Sequence, residues 1–204
     1  MVMALRAGWI PGLLAEYMAH AWMAAIVLAW VLVLGRRFPV GRFDRRELRP
    51  WYLLALVFLL ISIGETLGSP SARSLHVPGV ATLAAQLLFL AVVVGPTEEL
   101  LFRGLIQTSL NASIRASVSI RGWRLGLGTV IAALLFGLFH LVNLGYQGLG
   151  VTLEQVFFAA VIGLVIGVLY DRTRNLIGAS LAHGVADFSA RAIPLLAYLI
   201  AQRV

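Results

Sequence analysis

The sequence contains no cysteine and no lysine, and charged residues make up only 12% of its 204 positions. Without cysteine the chain can form no disulfide and carries no thiolate chemistry. Hydrophobic residues account for 60% of the chain, which is typical of a protein that lies in a bilayer and not of a soluble domain. The sequence therefore predicts an integral membrane protein whose length suits one helical domain, residues 1–204, without a soluble appendage.

All sixteen basic residues are arginine, and the formal net charge is +7. Six arginines lie in residues 36–50, three in 111–124 and two in 171–175, each group between apolar runs. In a soluble protein such a charge would suggest a nucleic-acid partner, but here membrane topology and anionic lipid explain it better. The pattern predicts no nucleic-acid partner, an external N-terminus and these three loops in the cytoplasm.

Apolar runs of membrane-spanning length recur along the whole chain. They predict an all-α, polytopic transmembrane helical bundle of six to seven spans. Pro194 is expected to separate a short last run, and His20, near the start of the first run, is interpreted as an interfacial residue. The predicted runs are 17–35, 51–68, 80–110, 125–144, 153–170, 176–189 and 193–201.

The run 80–110 contains two adjacent carboxylates in an otherwise lipid-compatible segment. A charge at membrane depth costs at least ~2.5–3.5 kcal/mol, so it needs a partner or a function. Glu99 and Arg103 are four residues apart and can pair on one helix face, whereas Glu98 has no such local partner. One interpretation is a structural ion pair with Glu98 as a bystander; the other is a functional Glu98. Gly95 and Pro96 predict a kink or a helix start just upstream.

Two later runs each carry a histidine at helical spacing from a second residue. Phe136 and His140 share a face, and so do His183 and Asp187. A histidine in an apolar helix can be a neutral core residue, and a histidine–carboxylate pair can simply neutralise itself within the bundle. The functional interpretation is that these groups and the glutamates meet at one wet cavity, where their polar atoms satisfy one another.

Such a set of side chains is suited to amide hydrolysis. A glutamate beside a histidine can polarise water as a general base, and a second histidine can donate a hydrogen bond to a developing oxyanion. Glu98, His140 and His183 could instead hold zinc with an open fourth position. The sequence has no H-E-x-x-H motif, the usual local signature of a zinc protease. Hydrolysis by glutamate and histidine without a metal is therefore the preferred hypothesis, and zinc is the alternative cofactor.

The chain carries three motifs in order: Glu98-Glu99-x-x-x-Arg103, Phe136-x-x-x-His140 and His183-x-x-x-Asp187. In this order they resemble the CPBP family, whose name joins CAAX proteases and bacteriocin-processing enzymes. Together they span less than half of the chain, and the flanking runs have no matching motif. The resemblance implies an intramembrane endopeptidase with its catalytic core at about residues 80–190.

The resemblance also implies a role for each motif. Glu98 and His140 would activate water, and His183 with Asp187 would form the oxyanion site. Because a carboxylate donates a hydrogen bond only when protonated, Asp187 would otherwise orient His183. The remaining motif residues would support the site: Glu99, Arg103 and Phe136.

The expected substrate is a membrane-associated protein or peptide, and the expected location is a bacterial inner membrane. Oligomeric state is not predicted. The alternative from another functional class is a non-catalytic membrane protein that confers immunity or binds a partner.

Overall fold

The computed structural model describes residues 9–34, 40–68, 79–120, 123–145 and 147–202. The described chain is predominantly helical, so the predicted all-α bundle is confirmed. Five helical segments are long and apolar enough to cross a membrane, and a shorter apolar stretch, Tyr17–Val33, lies within the first helix. The helices are α1 (Trp9–Leu34), α2 (Arg45–Gly68), α3 (Val80–Ser113), α4 (Leu127–Phe139), α5 (Leu149–Thr173) and α6 (Leu176–Ala201).

Two predicted boundaries were wrong. The last two apolar runs form one helix, α6, with Pro194 inside it. A proline removes one backbone hydrogen bond, and neighbouring groups in a membrane helix can compensate for that loss. The residues after Tyr170 were predicted to begin a basic loop, but α5 continues to Thr173. It ends at Arg174, whose left-handed backbone closes the last turn with a 2.8 Å hydrogen bond to the Tyr170 carbonyl.

Part of the arginine-containing segment 111–124 is more ordered than a simple loop. Strands β1 (Ser117–Ile120) and β2 (Trp123–Gly126) form an antiparallel hairpin between α3 and α4. A hairpin satisfies backbone hydrogen bonds locally, which suits a short connection outside the apolar helices.

The glutamate-bearing helix α3 contains two π-helical segments. Leu90–Val94 and Leu100–Gln107 are π-helical, and a single α-helical turn, Gly95–Glu99, lies between them. The predicted kink or start at Gly95 and Pro96 is therefore a break in the regular α-helical pattern within a continuous helix. Pro96 has no backbone N–H to donate, and π turns commonly occur at functional sites.

The described chain divides into two compact units. The first unit comprises Met1–Gly41 and Glu98–Leu176, and the second comprises Arg42–Thr97 and Ile177–Val204. The prediction of one integral membrane domain with a core at about 80–190 stays a prediction.

In the first unit, α4 packs along α5, and two glycines of α5, Gly163 and Gly167, lie at close contacts. A Cβ added to Gly163 would lie 2.9 Å from Phe136 Cδ1, and one added to Gly167 would lie 2.9 Å from Gln107 Oε1. Both glycines also present their carbonyls to buried side chains. The close approach at these two glycines therefore lets the helices pack tightly and lets buried side chains donate hydrogen bonds to the glycine carbonyls.

Asp171, near the end of α5, is the centre of a polar network in the first unit. Its Oδ1 accepts hydrogen bonds from Gln107 Nε2 at 2.9 Å and Asn111 Nδ2 at 3.0 Å, and its Oδ2 accepts one from Thr129. Gln107 also donates to the Gly167 carbonyl at 2.9 Å. These bonds tie α3 and α4 to α5 at the end of the helices.

The second unit contains α2, most of α6 and the part of α3 that precedes the glutamates. The buried Trp51 indole lies so close to Gly178 that an added Cβ would be 2.1 Å from its Cδ1. The hydroxyls of Ser62 and Ser189 are 2.9 Å apart and both residues are buried. Small residues thus allow α2 and α6 to approach closely, and a hydroxyl pair links them.

Candidate active site

Glu99 and Arg103 form the predicted ion pair on α3. Glu99 Oε2 lies 3.1 Å from Arg103 Nε, and the residues are 0% and 1% exposed. Both charges are thus away from water, where each is costly unless the other neutralises it. The ion pair with Glu99 therefore fixes the position of the Arg103 side chain inside the first unit.

The Arg103 guanidinium also links two of the sequence motifs. Its Nη2 donates to the Gly163 carbonyl at 3.1 Å, and its Cζ lies 4.6 Å from the centre of the Phe136 ring. The Phe136 and His140 rings are in turn 5.1 Å apart in edge-to-face contact. A continuous series of contacts therefore runs from Glu99 through Arg103 and Phe136 to His140.

His140 lies where the helix changes form. The α4 helix ends at Phe139, and a 3₁₀-helix begins at His140 and continues to Gly145. His140 Nδ1 is 2.9 Å from the Phe136 carbonyl oxygen. Because a carbonyl oxygen can only accept, this contact assigns the proton of a neutral imidazole to Nδ1 and the lone pair to Nε2. In this tautomer the lone pair on Nε2 is free to accept a proton or a hydrogen bond, as a base acting through Nε2 requires.

Glu98 has a partner that the sequence interpretation missed. His20 is 7% exposed and its Nε2 lies 3.5 Å from Glu98 Oε1, so its side chain points into the protein; that it lies at the membrane interface stays a prediction. Glu98 itself is 5% exposed. The available signal was an ionisable residue within an apolar run, which by default marks a functional site. Its partner is remote in sequence, so helical spacing could not have identified it.

His183 and Asp187 lie on α6 in the second unit, as the i, i+4 spacing predicted. His183 is 5% exposed, and its Nε2 lies 3.5 Å from Asp187 Oδ2. Beside them, an added Cβ on Gly184 would lie 2.5 Å from the Ala91 carbonyl oxygen. The backbone of α6 therefore packs closely on α3 at this level. That these residues meet Glu98 and His140 in one cavity stays a prediction.

Possible metal ligands are sparse within each unit. Among the described residues of either unit, no group of three or more histidine, aspartate or glutamate side chains is arranged to hold a metal ion. The zinc alternative draws Glu98 and His140 from the first unit and His183 from the second. This ligand set stays a prediction.

A comparison with protein families shows which family the chain belongs to. The model of the family described as Type II CAAX prenyl endopeptidase Rce1-like matches residues 80–189, more than half of the chain. The chain belongs to this family. The predicted resemblance to CAAX-type proteases is thereby confirmed, and membership in the Rce1-like family indicates an intramembrane endopeptidase. All three motifs lie within the matched segment, whereas His20 lies outside it. Searches of curated proteins and of solved structures found no match.

Proposed function

We propose that this Rce1-like protein hydrolyses a peptide bond of a membrane-associated protein or peptide, with Glu98 and His140 activating the water. The observation that supports this most strongly is the series of contacts between the glutamate motif and His140. Arg103 pairs with Glu99 and lies over Phe136, which contacts His140. Two motifs that are weak separately are thereby connected through packed side chains, and this connection supports the proposal that they act together.

In this mechanism Glu98 accepts a proton from water, and the resulting hydroxide attacks the peptide carbonyl carbon. His140 orients the water by accepting a hydrogen bond at Nε2. The carbonyl oxygen becomes an oxyanion, and collapse of the tetrahedral intermediate breaks the C–N bond. Glu98 then returns its proton to the leaving amine, so protons and electron pairs balance.

The oxyanion site is the second part of the proposal. His183 donates a hydrogen bond to the oxyanion, and Asp187 orients its imidazole across the 3.5 Å contact. Orientation requires an ionised Asp187, whereas direct donation to the oxyanion would require a protonated one. The histidine–carboxylate contact favours the orienting role.

The test of this function is a comparison of membrane peptides from cells that carry the wild-type protein or Glu98→Gln. We expect at least one membrane-associated protein to accumulate uncleaved, with its product reduced about 10-fold or more by Glu98→Gln. Glu65→Gln is the matched control, because Glu65 is exposed on α2. Identical peptide profiles for wild type and Glu98→Gln would favour the non-catalytic immunity or partner-binding alternative.

The proposed hydrolysis requires no metal. Purified protein that has been extensively treated with a chelator should retain its cleavage rate on the substrate identified above, within about two-fold. The control is the same protein carried through the same treatment with chelator already saturated with zinc. A loss of activity that stoichiometric zinc restores would replace this mechanism with the zinc alternative on Glu98, His140 and His183.

We further propose a bacterial inner-membrane location with the arginine-containing loops in the cytoplasm. The support is the distribution of arginine among the loops and the five candidate spans. The lipid of the bilayer then surrounds the exposed apolar side chains on these helices.

A further inference from the structure

His20 is a buried imidazole on a helix that carries none of the three motifs. It lies on α1, which packs against the π-helical segment Leu100–Gln107 of α3 within the first unit. Its Nε2 is 3.5 Å from Glu98 Oε1, and the two side chains are 8% and 7% exposed. The contact therefore brings a residue from outside the family segment to the carboxylate proposed as the general base.

This contact constrains the direction of the Glu98 carboxylate. A glutamate side chain has several rotatable bonds, and ordering it costs conformational entropy. An imidazole held 3.5 Å from Oε1 by a second helix limits those rotations and thereby also sets the direction of Oε2. In catalysis by oriented groups, a displacement of about 1 Å can cost about 100-fold in rate.

We propose that His20 is a positioning residue that holds Glu98 in the orientation required for water activation. The inference rests on the proposed function, because it assigns Glu98 the role of the base. His20 acts through Glu98 and touches neither water nor substrate. Loss of the contact therefore lowers kcat while leaving KM nearly unchanged, since the substrate-binding surface stays the same.

The experiment compares two amide replacements that differ in reach. The amide nitrogen of His20→Gln extends to about the position of imidazole Nε2, whereas that of His20→Asn falls one methylene short. We expect His20→Gln to keep kcat within about three-fold of wild type and His20→Asn to lower it about 10-fold or more, with KM within about two-fold for both. Similar kcat values for the two variants would overturn the inference.

Two further variants separate a positioning role from a structural one. His20→Phe keeps a ring of similar size without a donor, so it should match His20→Asn in kcat while melting within a few degrees of wild type. Trp22→Phe, at an exposed position of α1, is the control for ring replacement on this helix and should behave as wild type. If His20→Phe does not fold, the comparison of glutamine with asparagine still decides the question.

Failure of the inference and failure of the proposed function give different results. An inactive Glu98→Gln together with a fully active His20→Asn overturns the positioning role and leaves the proposed function intact. A fully active Glu98→Gln overturns the proposed function, and the role of His20 in it, whatever the His20 variants do.

Discussion

Replacing Glu98 by glutamine should lower kcat of peptide cleavage by about 10³-fold, because the amide cannot accept a proton from water at neutral pH. The fold should be retained, since glutamine is nearly isosteric and keeps an oxygen that can face His20. Initial cleavage rates and thermal unfolding in detergent, measured on the same purified preparation, test both parts. His140→Ala should show a rate loss of similar size.

Non-additivity provides the stricter test of the proposed pair. Groups that act as a unit lose most of their effect when either one is removed, so Glu98→Gln with His140→Ala should be little slower than either single variant. Glu65→Gln controls for the loss of a carboxylate from an exposed helix position. A near wild-type rate for Glu98→Gln would exclude this water-activating pair and favour a base at Glu99 or a non-catalytic protein.

Replacing Glu99 by glutamine should reduce the free energy of unfolding by about 3 kcal/mol, because it leaves the Arg103 guanidinium buried without its carboxylate. Arg103 is 1% exposed, and the Gly163 carbonyl and the Phe136 ring that it also contacts do not neutralise a full positive charge. Glu98 attracts Arg103 as well, but more weakly than Glu99 does. Denaturant titration in detergent micelles, with Glu154→Gln as an exposed control on α5, measures the loss.

A double variant distinguishes a stranded charge from a general packing defect. Glu99→Gln with Arg103→Met removes both charges and should recover part of the lost stability, since a long apolar side chain leaves no buried cation. Activity should not return with stability, because methionine cannot donate to Gly163. A Glu99→Gln variant that unfolds like wild type, or a double variant less stable than the single one, would contradict a charge-pairing role.

Local patterns in the sequence predicted much of this protein. Apolar runs of about 18–25 residues are sufficient to indicate spanning helices, because the bilayer requires that length and internal backbone pairing. The Glu99–Arg103 and His183–Asp187 contacts could also be predicted, since residues four apart lie on one helix face.

The contacts between remote segments required the tertiary structure. Helical periodicity states which residues share a face, but it does not state which other helix that face meets. The sequence therefore showed His20 as a lone polar residue in an apolar run and did not reveal its contact with Glu98. For the same reason it gave no sign that Arg103 lies over Phe136 and donates to Gly163.

The sequence by itself therefore determined a helical membrane protein and its three motifs, since these depend on composition and on spacing within single helices. The tertiary structure alone decided that Pro194 lies within one helix and that His20 belongs beside Glu98. Both outcomes depend on packing energies between segments distant in sequence, and such packing can override a local preference or add a partner that no spacing predicts.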